Sequence, residues 1–419
     1  MVALPTPFEA YQLDLGRLGV DDDLCAADSM WLLVAHCLSR FANQPETARL
    51  DLAGRCALAL QQFAASATDA DGEDGHPLDE PALGDLASLI AGLQRFSERS
   101  GQELLAKTVL EMSARMSALG ALTLAHTMVG HARHAALQVP ERTRGLMIAE
   151  QARLMRLLGN LDESAALYAQ VHGMGERARD EVLLARASIG RGVIARVRGN
   201  YPSAHAFFTD ALNRSEKAGS AELQRLAHQG LFVVAAMGES WDDALRHGWL
   251  TLVLGAGNPA HEAEALINLA HVSLGAGFPR AALHAVLKAM SSTTDQRMLL
   301  PALGTAVMAA ARCGERSVLD CLADRMERTV DGSNLPFEGA DALISLSRAY
   351  AELGLGARAE SIGSHARAIA EAHGFHELVH KSEETKLTRP VIMTEAREID
   401  EKTREVVSKL ETLEYELVL

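Results

Sequence analysis

The sequence predicts an all-α protein, an α-solenoid of antiparallel helix pairs. Two observations point to it. Hydrophobic residues make up 48% of the 419 residues, yet aromatic residues only 4%. Ala and Leu supply the difference, and they favour helices, whereas strands want β-branched and aromatic side chains. Glycines also recur at 120, 159, 199, 238, 277, 314 and 354, at spacings of 39, 40, 39, 39, 37 and 40. A period of that length is the signature of a stacked repeat.

A short pattern follows each glycine. A small residue stands five positions on, a small or larger one at nine, and a small one at twelve. The clearest copy is Gly199 with Ala204, Phe208 and Ala211. Others are Gly120 with Ala125, Val129 and Ala132, Gly277 with Ala282, Val286 and Ala289, and Gly354 with Ala359, Gly363 and Ala366. Weaker copies start at Gly159 (Ser164, Tyr168), at Gly238 (Ala244, one residue late) and at Gly314, where Leu319 replaces the small residue. Glycine at the junction suits a helix ending in the left-handed conformation. The small residues share one face of the next helix, where a neighbouring backbone must come close. Each repeat is thus a helix, a tight turn and a second helix, and neighbours must stack to bury both faces.

Around this array, residues 1–66 read as an N-terminal helical segment, with Asp28–Ser29 capping a helix through Cys37 and a second helix from Ala48 to Ala65. Residues 67–81 read as an acidic flexible loop. Residues 82–102 read as a degenerate repeat helix carrying Leu86, Leu89, Ile90, Leu93 and Phe96. Residues 103–380 form the array of about seven repeats, and 381–419 a connector and C-terminal amphipathic helix. In that last helix, expected over Thr394 to Val418, Ile399, Val406 and Leu413 interleave with Thr403, Leu410 and Leu417 at coiled-coil spacing. Such a seam suits either a cap over the end of the array or self-association into a homodimer.

Charge narrows the partners. The net charge is −15, and residues 1–82 hold fourteen acids against four arginines. An acidic chain repels phosphate backbones, which argues against direct nucleic-acid binding. No run of 18 apolar residues occurs, so no membrane span is expected. The start, MVALPTPFEA, lacks the pattern of a signal peptide. The five cysteines have no CxxC spacing; Cys313 and Cys321 suit one helix face but stand too far apart to bond. Reduced thiols and a cytoplasmic setting are the expectation.

No P-loop, GxSxG, HExxH or EF-hand loop is present, so no cofactor and no enzyme activity are predicted. His373, His376 and His380 have the spacing of one helix face, but Gly374 among them predicts a helix end and a plain surface cluster rather than a metal site.

The stretches 263–271 before Gly277 and 340–347 before Leu353–Gly354 resemble the first helix of the tetratricopeptide repeat. The repeat here is longer, about 39 residues against the usual 34, and in that it is similar to repeats of bacterial signalling regulators. Arg191 departs from the pattern, standing where leucine is usual. The resemblance implies a right-handed superhelix whose groove, lined by first helices, holds a protein or peptide partner. Counting back thirteen, six and three residues from the glycines gives groove candidates. They are Leu146, Arg153 and Arg156; Arg186, Val193 and Arg196; Glu264, His271 and Leu274; and Asp341, Arg348 and Ala351. The bet falls on Arg153, Arg156, Arg186, Val193, Arg196, His271 and Arg348. Arginine's planar fork suits an acidic partner, whose stand-in could be the chain's own loop Asp69 to Glu80. Solvated arginines, or pairs with Glu150 and Glu181, form the plainer alternative. The resemblance also implies a second function class: the sensory half of a signalling protein whose output domain, such as a diguanylate cyclase, lies on a following segment or another chain.

Overall fold

In the computed structural model, the described residues are 34–35, 37–38, 52–61, 64, 80–118, 120–135, 138–293, 295–385 and 399–414. The expected acidic loop, at 67–79, lies outside them, as do Asp28, Ser29 and Leu417. The described residues hold helices and turns and no strand. The chain divides into two compact units, Met1–Ala218 and Gly219–Leu419.

The first unit holds helical residues 52–61 and then α1 (Glu80–Gln94), α2 (Arg99–Ala118), α3 (Leu122–Ala135), α4 (Glu141–Leu157), α5 (Leu161–Ala178), α6 (Glu181–Val197) and α7 (Tyr201–Lys217). The second holds α8 (Ala221–Met237), α9 (Trp241–Leu254), α10 (Pro259–Gly275), α11 (Pro279–Ser292), α12 (Gln296–Cys313), α13 (Arg316–Asp331), α14 (Pro336–Glu352), α15 (Gly356–Ala372), α16 (His376–Thr385) and α17 (Glu401–Glu411). The single helix expected over 82–102 is two: α1 ends at Gln94, and α2 has begun by Arg99.

The periodic glycines do what their spacing implies. Gly199 takes φ +75°, Asn200 N–H donates to the Ala195 carbonyl, and Gly199 N–H to that of Arg196. This paired closure satisfies carbonyls that a helix end would leave bare. The same two bonds recur at Gly120, Gly159, Gly277, Gly314 and Gly354. The exception is Gly238, whose φ is −89°. There Glu239 takes the left-handed place at φ 54°, one residue late, and the late Ala244 is in step with it.

The small positions are where helices touch. Ala125, Ser164, Ala204, Ala244 and Ala282 are buried, as are Ala132, Ala211, Ala289 and Ala366. The Ser164 and Ser347 hydroxyls donate to the Ala152 and Ala359 carbonyls across their own pairs, each at 2.7 Å. Leu319 is also fully buried, so the array takes a larger side chain there without losing the contact. Where the +9 residue is large, a glycine faces it: a Cβ on Gly190 would stand 2.1 Å from the Tyr168 ring, and one on Gly192 2.8 Å from Phe208.

Within each unit, polar bonds tie neighbouring repeats. Ser113–Glu150, Arg142–Asp180, Arg198–Asp162, Arg358–Asp320, Arg312–Glu352 and Lys381–Asp341 span 36 to 40 residues, one repeat length. Half-exposed pairs of this kind are worth about 0–1 kcal/mol each. They fix register more than they add stability.

Two expectations change. Cys313 closes α12 while Cys321 lies in α13, so they do not share a helix; both are free thiols. The C-terminal helix is described over eleven residues, not the twenty-five expected. Its seam is covered within the chain: Thr403, Val406, Val407 and Leu410 are buried against α9 and α11, and Ile399 and Leu413 pack beside them. Arg246 bonds Asp400 at 2.6 Å, and the Lys409 ammonium sits 5.2 Å from the Trp249 ring centre. The stripe read as a coiled-coil seam is thus covered by second helices of the chain's own repeats, and α17 docks on α9 and α11 rather than over the last helices of the array.

Candidate functional site

In the first unit, α4 and α6 are first helices of adjacent repeats, and the candidate residues follow from their register. Arg153 and Arg156 lie one turn apart on α4; Arg186, Val193 and Arg196 lie on α6, where Val193 is half-buried. The carboxylate of Glu150 takes both arms of Arg153 at 2.7 and 2.8 Å, and also the Ser113 hydroxyl at 2.6 Å. Arg153 also donates to the Ser117 hydroxyl at 2.7 Å. Burial alone would lower the pKa of Arg153, but Glu150 outweighs it and raises it. Arg153 is thus locked to α2, as the plainer alternative held for Glu150. That alternative fails for Glu181, which pairs at 3.1 Å with Arg214 instead.

Arg156 is in the opposite state. Burial lowers its pKa, Tyr168 opposes that, and the like charges of Arg153 and Arg196 lower it further. Its Nε is buried without a hydrogen-bond acceptor. The Arg196 side chain forms no ion pair or hydrogen bond among the described residues. Beneath them lies Tyr168 of α5, whose hydroxyl is pushed upward in pKa by burial, against the pull of Arg156, Arg153 and Arg186 and with the push of Glu150. The fields of four guanidinium groups, Arg153, Arg156, Arg186 and Arg196, and of the Glu150 carboxylate therefore meet around Arg156 and Tyr168. Like charges held together in this way raise the local positive potential. The sequence reading missed Tyr168 as its floor. The available signal was a large hydroxyl-bearing residue at the +9 place of a weak copy.

The second unit holds the other two candidates, His271 on α10 and Arg348 on α14. His271 touches water yet is recessed among helices. The surrounding protein, then Lys381, lowers its pKa, with Asp341 opposing. It is thus neutral at neutral pH and adds no positive charge. Lys381 and Asp341 pair with each other, and Glu264 accepts from Gln229 at 2.6 Å. Arg348 is half-buried and forms no ion pair among the described residues. This face is mixed in sign, unlike that of the first unit.

Among the described residues, no three His, Cys, Asp or Glu side chains gather as a metal site. His373 caps α15, Gly374 turns at φ 71°, and His376 opens α16, so the three histidines do not share a helix face. No helix of the described residues is long and apolar enough to cross a membrane.

No protein-family model matches the chain, and no curated protein matches it. A solved structure that does is a signal-transduction ATPase with numerous domains, bearing a tetratricopeptide repeat sensor, from Pyrococcus horikoshii. It aligns over 89% of this chain and 56% of its own at 12% identity, with a TM-score of 0.55. The fold is a tetratricopeptide-type helical repeat. Two further likenesses have lower scores. A Rap protein complexed with competence and sporulation factor gives a TM-score of 0.47 at 12% identity, over 83% of this chain and 99% of that one. Aspartyl phosphate phosphatase F from Bacillus subtilis gives 0.47 at 11%, over 88% and 96%. One departure from the usual tetratricopeptide pattern now has a cause. Arg191, in place of leucine, lies over the Phe207 ring with its guanidinium carbon 4.4 Å from the ring centre.

Proposed function

We propose that the protein is a non-enzymatic scaffold that binds a protein or peptide segment carrying carboxylates. The observation that carries this reading is the cluster of Arg153, Arg156 and Arg196 with Arg186 around Tyr168, where the Arg156 Nε is buried without an acceptor and Arg153 and Arg196 press on Arg156 as like charges. An incoming Asp or Glu would relieve the repulsion on Arg156 and supply acceptors to the arginines. Val193 offers an apolar contact beside them. His271 and Arg348, in the other unit, would contact a partner there by shape and hydrogen bonding more than by net charge. A cytoplasmic setting fits the free thiols.

The test is fluorescence anisotropy with a labelled Asp/Glu-rich peptide against the full chain. Arg156→Gln with Arg196→Gln should weaken binding by about tenfold or more and flatten its salt dependence. Unchanged affinity and salt slope would leave the arginines as merely solvated groups and end the reading.

A second reading is supported by the archaeal likeness, whose repeat region is described as a sensor. In it, the array is the sensory half of a signalling protein, and an output domain lies on another segment or chain. Reading the coding sequence beyond Leu419 distinguishes it.

A further inference from the structure

A second basic feature of the first unit lies away from the arginine cluster. The C-terminal ends of α3 and α5 and the N-terminal end of α4 enclose a crevice of about 490 Å³. Arg133, Arg144 and Arg177 line it with the Gln170 amide, and Ile148 and Met174 give it an apolar wall; Glu141 is its one acid.

The repeat builds this crevice, and the local sequence decides its chemistry. The second unit has an equivalent of about 330 Å³ between α12 and α13. Measured from Gly159 and Gly314, Gln170 matches Arg325, Met174 matches Thr329, and Arg144 matches Leu299. The position held by Arg144 in one crevice is thus apolar in the other.

The helix termini explain only part of the basic lining. Arg133 and Arg177 stand in the last turns of α3 and α5, where carbonyl dipoles welcome a cation. Arg144 stands near the start of α4, where they disfavour one. The α4 N-cap is Pro140, which gives no side-chain acceptor to the first-turn N–H groups. The Arg133 Nε is buried without an acceptor, and burial lowers that group's pKa. Arg177 forms no ion pair among the described residues. Arg133 and Arg177 thus face one space together with Arg144 and a bare helix start, and Glu141 is the one carboxylate in its lining. A volume of this size suits a small organic ligand.

We infer that this crevice binds a small organic phosphate monoester, its phosphate on Arg133, Arg144 and Arg177 and its organic part on Ile148 and Met174. The phosphate's oxygens would accept from the guanidinium forks and from the start of α4.

Isothermal titration calorimetry of the full chain with phenyl phosphate, at fixed ionic strength, tests this. Saturable binding is expected, tighter than that of inorganic phosphate. Arg133→Gln with Arg177→Gln should weaken it by about tenfold or more, while Arg156→Gln with Arg196→Gln leaves it unchanged. Should the first double variant not fold, Arg144→Gln, on an exposed turn, replaces it. No saturation by roughly 10 mM overturns the proposal, as does binding indifferent to Arg133, Arg144 and Arg177. Equal loss in the Arg156/Arg196 variant assigns the phosphate to the other cluster and also overturns it. Inorganic phosphate binding as tightly as phenyl phosphate removes the organic half of the ligand.

Discussion

Arg179 at φ 51° and Glu239 at φ 54° are the non-glycine residues with left-handed backbones among those described. An L side chain there costs about 1–2 kcal/mol against the right-handed region. Glycine would remove that strain while adding some unfolded-state entropy. Glu239→Gly should therefore raise stability by roughly 0.5–1 kcal/mol, and Gly199→Val should lower it by more than that. Thermal melts of the two variants check both signs, and a Glu239→Gly variant that melts earlier would show that the Glu239 side chain compensates its own strain. His271 makes a second prediction. Its folded pKa lies below the unfolded value of about 6.5, because burial and Lys381 disfavour the charged ring. The unfolded chain then binds the extra proton more readily. The contribution is fully present above the unfolded value and is lost as pH falls through the folded one. Melting curves between pH 7.5 and 5 should show acid destabilisation that His271→Gln reduces; an identical pH slope in the variant would remove His271 from the account.

At the scale of elements, α17 is the most informative. Its buried face is Thr403, Val406, Val407 and Leu410, and its Asp400 cap accepts from Thr403 N–H at 2.7 Å while also meeting Arg246. An eleven-residue helix is marginal alone, so its order depends on docking against α9 and α11. Leu410→Ala should cost about 2–5 kcal/mol and raise hydrogen exchange in α17 first; exchange there no faster than in the parent chain would deny that docking holds the helix. The sequence announced this amphipathic seam but not its partner, because an apolar stripe has the same spacing whether a neighbouring copy or the same chain covers it. The helix pairs were legible for the opposite reason: a glycine at the turn and small residues at +5 and +12 are demanded by backbone approach within the pair itself. The arginines were legible as positions and not as states. Arg153 could pair along its own helix with Glu150 or across to another, and only the packed register shows that Glu150 serves it while Glu181 serves Arg214. The crevice was illegible, since its wall is assembled from three helix ends whose meeting depends on how the pairs pack.

At the scale of the whole molecule, stability belongs to neighbours. The first unit holds two apolar cores in succession and the second unit one, and apart from Arg246–Asp400, which docks α17, the polar ties named above span one repeat. An array of this kind behaves as a one-dimensional chain of repeat stabilities and interface energies. A lesion should then spread by adjacency. Phe208 is fully buried on α7 and fills the space left by Gly192 on α6. Phe208→Ala should cost about 3–5 kcal/mol, because no side chain on α6 is placed to collapse into the void. Native-state hydrogen exchange should lose protection most in α6 and α7, less in α4 and α5, and least in α2 and α3. A uniform loss over the whole chain would mean that the array unfolds as one cooperative body, and the nearest-neighbour account would have to be given up.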